Sequence, residues 1–457
     1  MAATTALPVT RLTNFLRRMG WLPQVLAAGA LVLVVAAVLA NNYLGQRYSA
    51  DGTAVDYVTA IGRGDAAGAW SEMTIPGGGP AGQGGLLSER ALDGQLALSA
   101  NRHPDRTDVH VTVHRDVLGA AQVTISFRES SRQRSLDLTL VRDQSQRHFL
   151  FYPVWLVATV PSPVELLSPS GTGGLSVDGV AVKATTPTLL ALPGHHRAAT
   201  ARTSLFEAAQ ADFDVVAGSQ YVATVTLAPT LIPSARTAAA AAIKAAFDGC
   251  RAVTFGLSCP MNFYSSGSNW QLIGDPTSPV TYAVRDGVLT ASGHYQSDRI
   301  DPDFGIHFFY GGAYMAELKA AGQAFTVTHL QDGIDVPPLT RPSMPTDAAI
   351  LQAVRTAFAA CADSTQGRPS GCPQALEIAT ATYASNVRWQ LGGDPLSGAS
   401  VSWDGDQGAF NVSGSFSATA TYDYYGSRQT TTKSGSYRAI VVPDSANPRV
   451  ITIDGGS

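Results

Sequence analysis

From Val25 to Ala40 the chain reads VLAAGALVLVVAAVLA, with no polar side chain. Lipid offers the backbone no hydrogen-bond partners, so a run of this kind in a membrane can only be helical. Extended back to Trp21, it is interrupted only by Gln24, and no charge occurs between Arg18 and Arg47. About 20 helical residues cross a hydrocarbon layer of roughly 30 Å. Trp21 and Tyr43 flank the run, where amphipathic rings favour the membrane interface. Arg11, Arg17 and Arg18 precede it and no acidic residue does. Positive charge stays inside, which predicts a cytoplasmic tail over 1–20, a transmembrane helix over 21–41, and an extracytoplasmic remainder. The competing reading is a signal peptide cut after Val38-Leu39-Ala40. Signal peptides carry an apolar region of only about 7 to 15 residues, so a retained single-pass anchor is expected.

Composition narrows the partners. The chain has 457 residues, 45% of them hydrophobic, enough to build several cores and too apolar for a disordered chain. Lys occurs only at 183, 244, 319 and 433, and this Arg-biased, Ala- and Gly-rich composition is the one expected of a GC-rich genome. Of 31 basic residues three precede the anchor, leaving 28 against 35 acidic ones, a net charge of -7 outside. That balance disfavours nucleic acid and anionic lipid as partners.

The four cysteines, Cys250, Cys259, Cys361 and Cys372, all fall on the exported side, where disulfides persist. Their spacing predicts the pairs Cys250–Cys259 and Cys361–Cys372. Zinc is the alternative for four Cys, but its ligands come in C-x₂₋₄-C pairs, and these are spaced more widely. No C-x-x-C suggests redox chemistry. Their surroundings repeat. AAIKAAFDGC, CP and NWQLIGDP are answered by AILQAVRTAFAAC, GCP and RWQLGGDP. Phe247 matches Phe358, Trp270 matches Trp389, Ser292-Gly293 matches Ser413-Gly414, and Tyr314 matches Tyr437. Two copies, 235–335 and 346–457, are therefore expected to be homologous α+β units. Each opens with an amphipathic helix (Ile243, Ala246, Phe247; Ile350, Val354, Ala357, Phe358) and continues into hairpin strands. The first hairpin is expected at Val280–Val284 and Val288–Tyr295, the second at Val401–Trp403 and Phe410–Phe416. Val336 to Pro345 (VPPLTRPSMP) is the expected linker.

Next to the anchor, 53–73 carries a helical pattern with a break at Gly62/Gly64, and Leu86–Leu98 a second helix, after a Gly/Pro loop from Pro76 to Gly85. Strands are predicted at Val109–Val113, Val123–Phe127, Leu136–Leu140 and Phe149–Val157. Tyr57, Gly64-Asp65, Trp70 and Phe151-Tyr152-Pro153-Val154-Trp155 make residues 51–160 resemble the nuclear-transport-factor-2-like (cystatin-like cone) superfamily. The resemblance implies a helix-wrapped curved sheet. In 161–230, Val177-Asp178-Gly179 and Leu192-Pro193-Gly194 resemble small PEGA-type β domains, closed by a strand over Tyr221–Leu227. The order of anchor, cone, small β domain and further α+β domains resembles the exported region of TcaA-like envelope proteins, which implies a role linked to glycopeptide susceptibility. That family carries a cytoplasmic zinc ribbon, for which residues 1–20 supply no Cys.

Catalytic patterns are sparse. There is no G-x-S-x-G, P-loop or dinucleotide fingerprint. Lys433-Ser434-Gly435 faintly resembles the third motif of penicillin-binding enzymes, without an S-x-x-K nucleophile. His195-His196 follows a Pro-Gly pair and is expected in a solvated turn. Asp301–Gly305 and Asp404–Gly408 have the flavour of calcium loops but lack the closing Glu, so turns are expected. Asp56 and Asp65 are expected at a helix surface and a helix cap, and Trp270 and Trp389 as core aromatics. The fold class expected is α+β. The expected function is a non-catalytic, anchored binding or scaffolding protein, with no cofactor or metal site, facing a cell-wall component or another envelope protein. The alternatives are a subunit of a secretion or conjugation apparatus and an enzyme with its site in 51–160.

Overall fold

A computed structural model describes residues 21–75, 86–98, 107–115, 119–129, 132–149, 151–183, 188–252, 259–260, 270–301, 306–444 and 447–456. The chain is mixed α+β with curled sheets, and it divides into two compact units. The first holds the chain through Leu166 together with Gly174–Ala199 and Ala211–Val225. The second holds Leu167–Gly173, Thr200–Gln210 and Thr226–Ser457. The residues expected to form one small β domain are thus shared between the units.

In the first unit, α1 (Leu22–Arg47) carries the apolar run, exposed along its length. Tyr48 and Ser49 alone separate it from α2 (Ala50–Arg63). Ser49 caps α2 by accepting from the Gly52 N–H, satisfying one of the free donors of the first turn. The helix therefore starts three residues before the sequence pattern suggests. Gly62 stays helical and buried. The break falls at Gly64 alone, whose left-handed φ of 72° ends the helix. Asp65 then caps α3 (Ala66–Ser71), accepting from Gly68 at 2.9 Å. After β1 (Met73–Thr74), Ser88 caps α4 (Glu89–Ala97). Strands β2 (Thr107–Arg115), β3 (Ala120–Glu129), β4 (Arg132–His148) and β5 (Tyr152–Ala158) complete a sheet ordered β1-β5-β4-β3-β2. β5 begins at Tyr152 rather than Phe149, because Phe149 turns the chain with a φ of 49°. The helices bury Ala54, Val58, Leu92 and Leu96 against Val123, Ile125, Leu140 and Val157 of the sheet.

Short strands follow: β6 (Ser162–Leu167), β7 (Leu175–Val177), β8 (Val180–Val182), β9 (Leu189–Ala191), β10 (Gly194–Thr200), β11 (Ala209–Val215) and β12 (Ala223–Thr226). They form the sheets β11-β10-β7-β8 and β12-β6-β9. Asp178-Gly179, with φ of 50° and 76°, makes the two-residue turn between β7 and β8. β12 is shorter than the strand expected over Tyr221–Leu227, and Tyr221 lies 88% exposed before it.

In the second unit, α5 (Pro233–Ala252) precedes β13 (Trp270–Leu272), β14 (Val280–Arg285), β15 (Val288–Ile300), β16 (His307–Ala321) and β17 (Ala324–Asp332). The sheet runs β13-β15-β16-β17, with β14 also pairing β15. Then α6 (Asp347–Asp363), α7 (Ile378–Tyr383), β18 (Ala384–Leu391), β19 (Ser400–Asp404), β20 (Ala409–Tyr424), β21 (Ser427–Val442) and β22 (Arg449–Gly456) give β18-β20-β21-β22, with β19 pairing β20.

The residues that recur in sequence make the same contacts in both segments. Phe247 meets the Tyr314 ring edge-on at 5.2 Å, and Phe358 meets Tyr437 at 4.9 Å. The Tyr314 hydroxyl donates to the Pro276 carbonyl at 2.8 Å, and Tyr437 to Pro395 at 3.0 Å. Asp275 accepts from Lys244 of α5 at 2.6 Å, and Asp394 from Arg355 of α6 at 3.1 Å. The Gly-Asp-Pro of each copy thus ties its helix to its sheet on two adjacent residues.

The two segments also pack on each other. Ile273 and Phe309 share a cluster with Ala409, Ile440 and Val442, and Gln296 donates to the carbonyls of Gln407 and Gly408. The Pro-rich connection is fastened rather than free. Leu339 donates its N–H to Gly405 and accepts from the Trp403 indole at 2.8 Å, and Arg341 pairs with Asp347.

Candidate functional site

The first unit holds a partly open cavity of about 510 Å³, within the 300–1,000 Å³ of small-molecule sites. Its walls are dictated by periodicity. Tyr57, Val58 and Ile61 share one face of α2, and Leu92, Gln95 and Leu96 one face of α4. Leu136, Asp137, Leu138 and Thr139 come from β4, and Val157 from β5. Leu192 to Gly194 border it, held to α4 by the Gln95 side chain, which donates to the Pro193 carbonyl at 2.9 Å. Gly94 meets the Asp178 carbonyl so closely that any Cβ there would collide with it, so α4 sits tightly on the β7–β8 turn.

Polar groups in this wall are few. Burial pushes the Tyr57 phenol above its ordinary value, while a hydrogen bond with Thr159 pulls the other way. Thr159 is itself buried, with its N–H on the Thr74 carbonyl. Asp137 is exposed and accepts from the Thr124 hydroxyl at 2.6 Å. The wall is therefore mainly apolar, with the Tyr57–Thr159 pair, Gln95, Asp137 and Thr139 as its polar side chains, which suits a largely apolar ligand with a polar end. Outside it, Glu72 is half-buried, and burial together with Asp56 raises its carboxyl.

A second, polar cleft of about 270 Å³ lies in the second unit between β16 and the α6–α7 connection. His307, Arg368 and Asp454 line it beside Cys372. The His307 Nδ1 is 2.7 Å from the buried Asp298 carboxylate, and Arg368 donates to the Leu376 carbonyl.

The residues singled out in sequence are dispersed. Cys250–Cys259 and Cys361–Cys372 are bonded, with Cα separations of 5.9 and 5.7 Å. His195-His196 lies in β10 rather than in a solvated turn. His196 is buried between the Asp178 carboxylate and the Leu192 carbonyl, both at 2.6 Å, because its alternate position on the strand faces inward. His195 faces Asp214 at 2.9 Å. Lys433 reaches Glu377. Asp404 to Gly408 is a turn closed by the Asp404 carboxylate on the Gln407 N–H. Trp389 is buried and donates to the Gln366 carbonyl. The tail 1–20, the loop Pro76–Gly85, residues 302–305 of the Asp301 turn, and the side chains of Trp270 and Phe127 lie outside the described residues. Among the described residues no three His, Cys, Asp or Glu gather to hold a metal. Among the described residues one helix, over Val25–Arg47, is long and apolar enough to cross a membrane.

Sequence reasoning missed the cavity. Its apolar wall residues carry the same periodicity as ordinary core residues, so their pattern does not distinguish a filled interior from a hollow one.

No protein-family model matches the chain, and no curated protein matches it.

Proposed function

We propose that the chain is a membrane-anchored, extracytoplasmic binding protein of the cell envelope whose cone-like domain takes a small, largely apolar ligand. The cavity carries this reading: 510 Å³ walled by aliphatic side chains, with Tyr57 and Thr159 as its polar end. Binding is the role we assign it. The apolar helix, the arginines before it and the two disulfides support a retained anchor with its N-terminus inside and the bulk outside. The shared strand order and the repeated Phe–Tyr and Tyr–Pro contacts support a duplication, and the second unit is read as the scaffold facing the wall or another envelope protein. The resemblance to TcaA-like proteins supports that setting.

A fluorescent apolar probe titrated into the detergent-solubilised full chain tests the binding. Saturable binding is expected, lost in Ile61→Trp, whose ring fills the cavity, and weakened in Tyr57→Phe. Equal binding by the wild type and Ile61→Trp would overturn the assignment.

A further inference from the structure

Two large rings stand in solvent at the β4–β5 turn: Phe149 is 66% and Phe151 81% exposed. Phe149 occupies a left-handed conformation with a φ of 49°, where Gly or Asn serves a turn at less cost. A water-facing turn gains nothing from this choice.

The turn sits against the end of the apolar helix. The Tyr152 hydroxyl donates to the Asn41 side-chain oxygen at 2.5 Å and lies 3.3 Å from the Asn41 carbonyl. Tyr48 stacks on His148 at 4.3 Å and lies 5.9 Å from Phe149. Asn41 is the first polar residue after the run that ends at Ala40. A helix that crosses the bilayer up to Ala40 therefore holds this turn at the depth where hydrocarbon gives way to water.

We propose that Phe149 and Phe151 enter the bilayer interface, so that the β4–β5 turn is a second membrane contact beside the anchor. The proposal rests on reading α1 as a retained anchor. The partner is the boundary between headgroups and acyl chains of a zwitterionic bilayer. Apolar rings beside an anchor lose their contact with water there, and a region with a net charge of -7 gains nothing from an anionic surface. Arg147, near the end of β4, and Arg47, the last residue of α1, are exposed. The Arg147 guanidinium rests on the carbonyls of Asp143 and Gln146, a position from which it can meet a lipid phosphate.

Since Cys250, Cys259, Cys361 and Cys372 are bonded, a single introduced thiol can be labelled. The full chain is placed in phosphatidylcholine nanodiscs with a nitroxide at Phe151→Cys or at Leu39→Cys, and collisions with oxygen and with a water-soluble nickel chelate are compared. Both labels are expected to favour oxygen several-fold over the same nitroxide free in buffer. A lipid-buried label at 39 with a nickel-accessible label at 151 overturns the second contact and leaves the anchor standing. Nickel access at both sites overturns the anchor reading and the contact with it.

Discussion

Gly293 and Gly414 show how much one missing side chain decides. Each pairs across the sheet with a tyrosine, Tyr314 or Tyr437, whose ring lies over it. A Cβ at 414 would come within 2.7 Å of the Tyr437 ring, and one at 293 within 3.0 Å of Tyr314. Gly414→Ala is expected to cost about 1–3 kcal/mol through overpacking, read as a lower urea midpoint with an unchanged slope. Tyr437→Phe removes the bond to Pro395 and is expected to cost about 1 kcal/mol or somewhat more. The same burial raises the phenols of Tyr57, Tyr314 and Tyr437 above 10.0. In the unfolded chain these groups ionise first, so stability is full below about pH 10 and falls as pH rises beyond it. Denaturant melts at pH 9 and pH 11 should show that loss, with a further step in phenolate absorbance on unfolding. The repeated Ser-Gly and Tyr were visible in sequence. That one covers the other was not, since register depends on pairing between distant strands. His196 misled for a related reason: a Pro-Gly pair signals a turn, but the strand resumes at once and turns the imidazole inward.

Helices and tight hairpins were legible because their signals are local. Asp286-Gly287, with φ of 49° and 75°, is a two-residue turn between alternating runs, and β14 and β15 pair around it as expected. The long strands were not. From Ser427 to Thr431 β21 is mostly exposed, so it lacks the apolar alternation that marks a half-buried strand; its extension comes from pairing with β20 along its length. The disulfides bind helix ends to the loops that follow, and closing so short a ring is worth roughly 2.5–3 kcal/mol by loop entropy. Replacing Cys361 and Cys372 together by Ala should lower stability by about that amount, measured against wild type under oxidising conditions. Reducing agent should reproduce the loss in wild type. A larger effect is expected from Phe358→Ala, about 3–5 kcal/mol, since it empties the centre of its cluster.

For the molecule as a whole, the sequence supports a string of separate domains, whereas contacts in the second unit join 233–332 to 347–456 through a shared apolar cluster and a fastened connection. Their cooperativity is testable. Phe247→Ala and Phe358→Ala should each shift one common calorimetric transition of the second unit, while two independently moving transitions would show the halves unfolding apart. Ligand binding acts in the first unit. A compound held at 100 times its Kd should stabilise it by about 2.7 kcal/mol, and that gain should vanish in Ile61→Trp.

Only Tyr48 and Ser49 lie between the apolar helix and α2, and Ser49 is tied to both: its hydroxyl donates to Gln46 and accepts from Gly52. Such a join is a post and not a rope. When the post swivels about its own axis, the face of α2 that walls the cavity must swing with it, so splicing a few glycines after Tyr48 should let the head wobble while its interior stays intact.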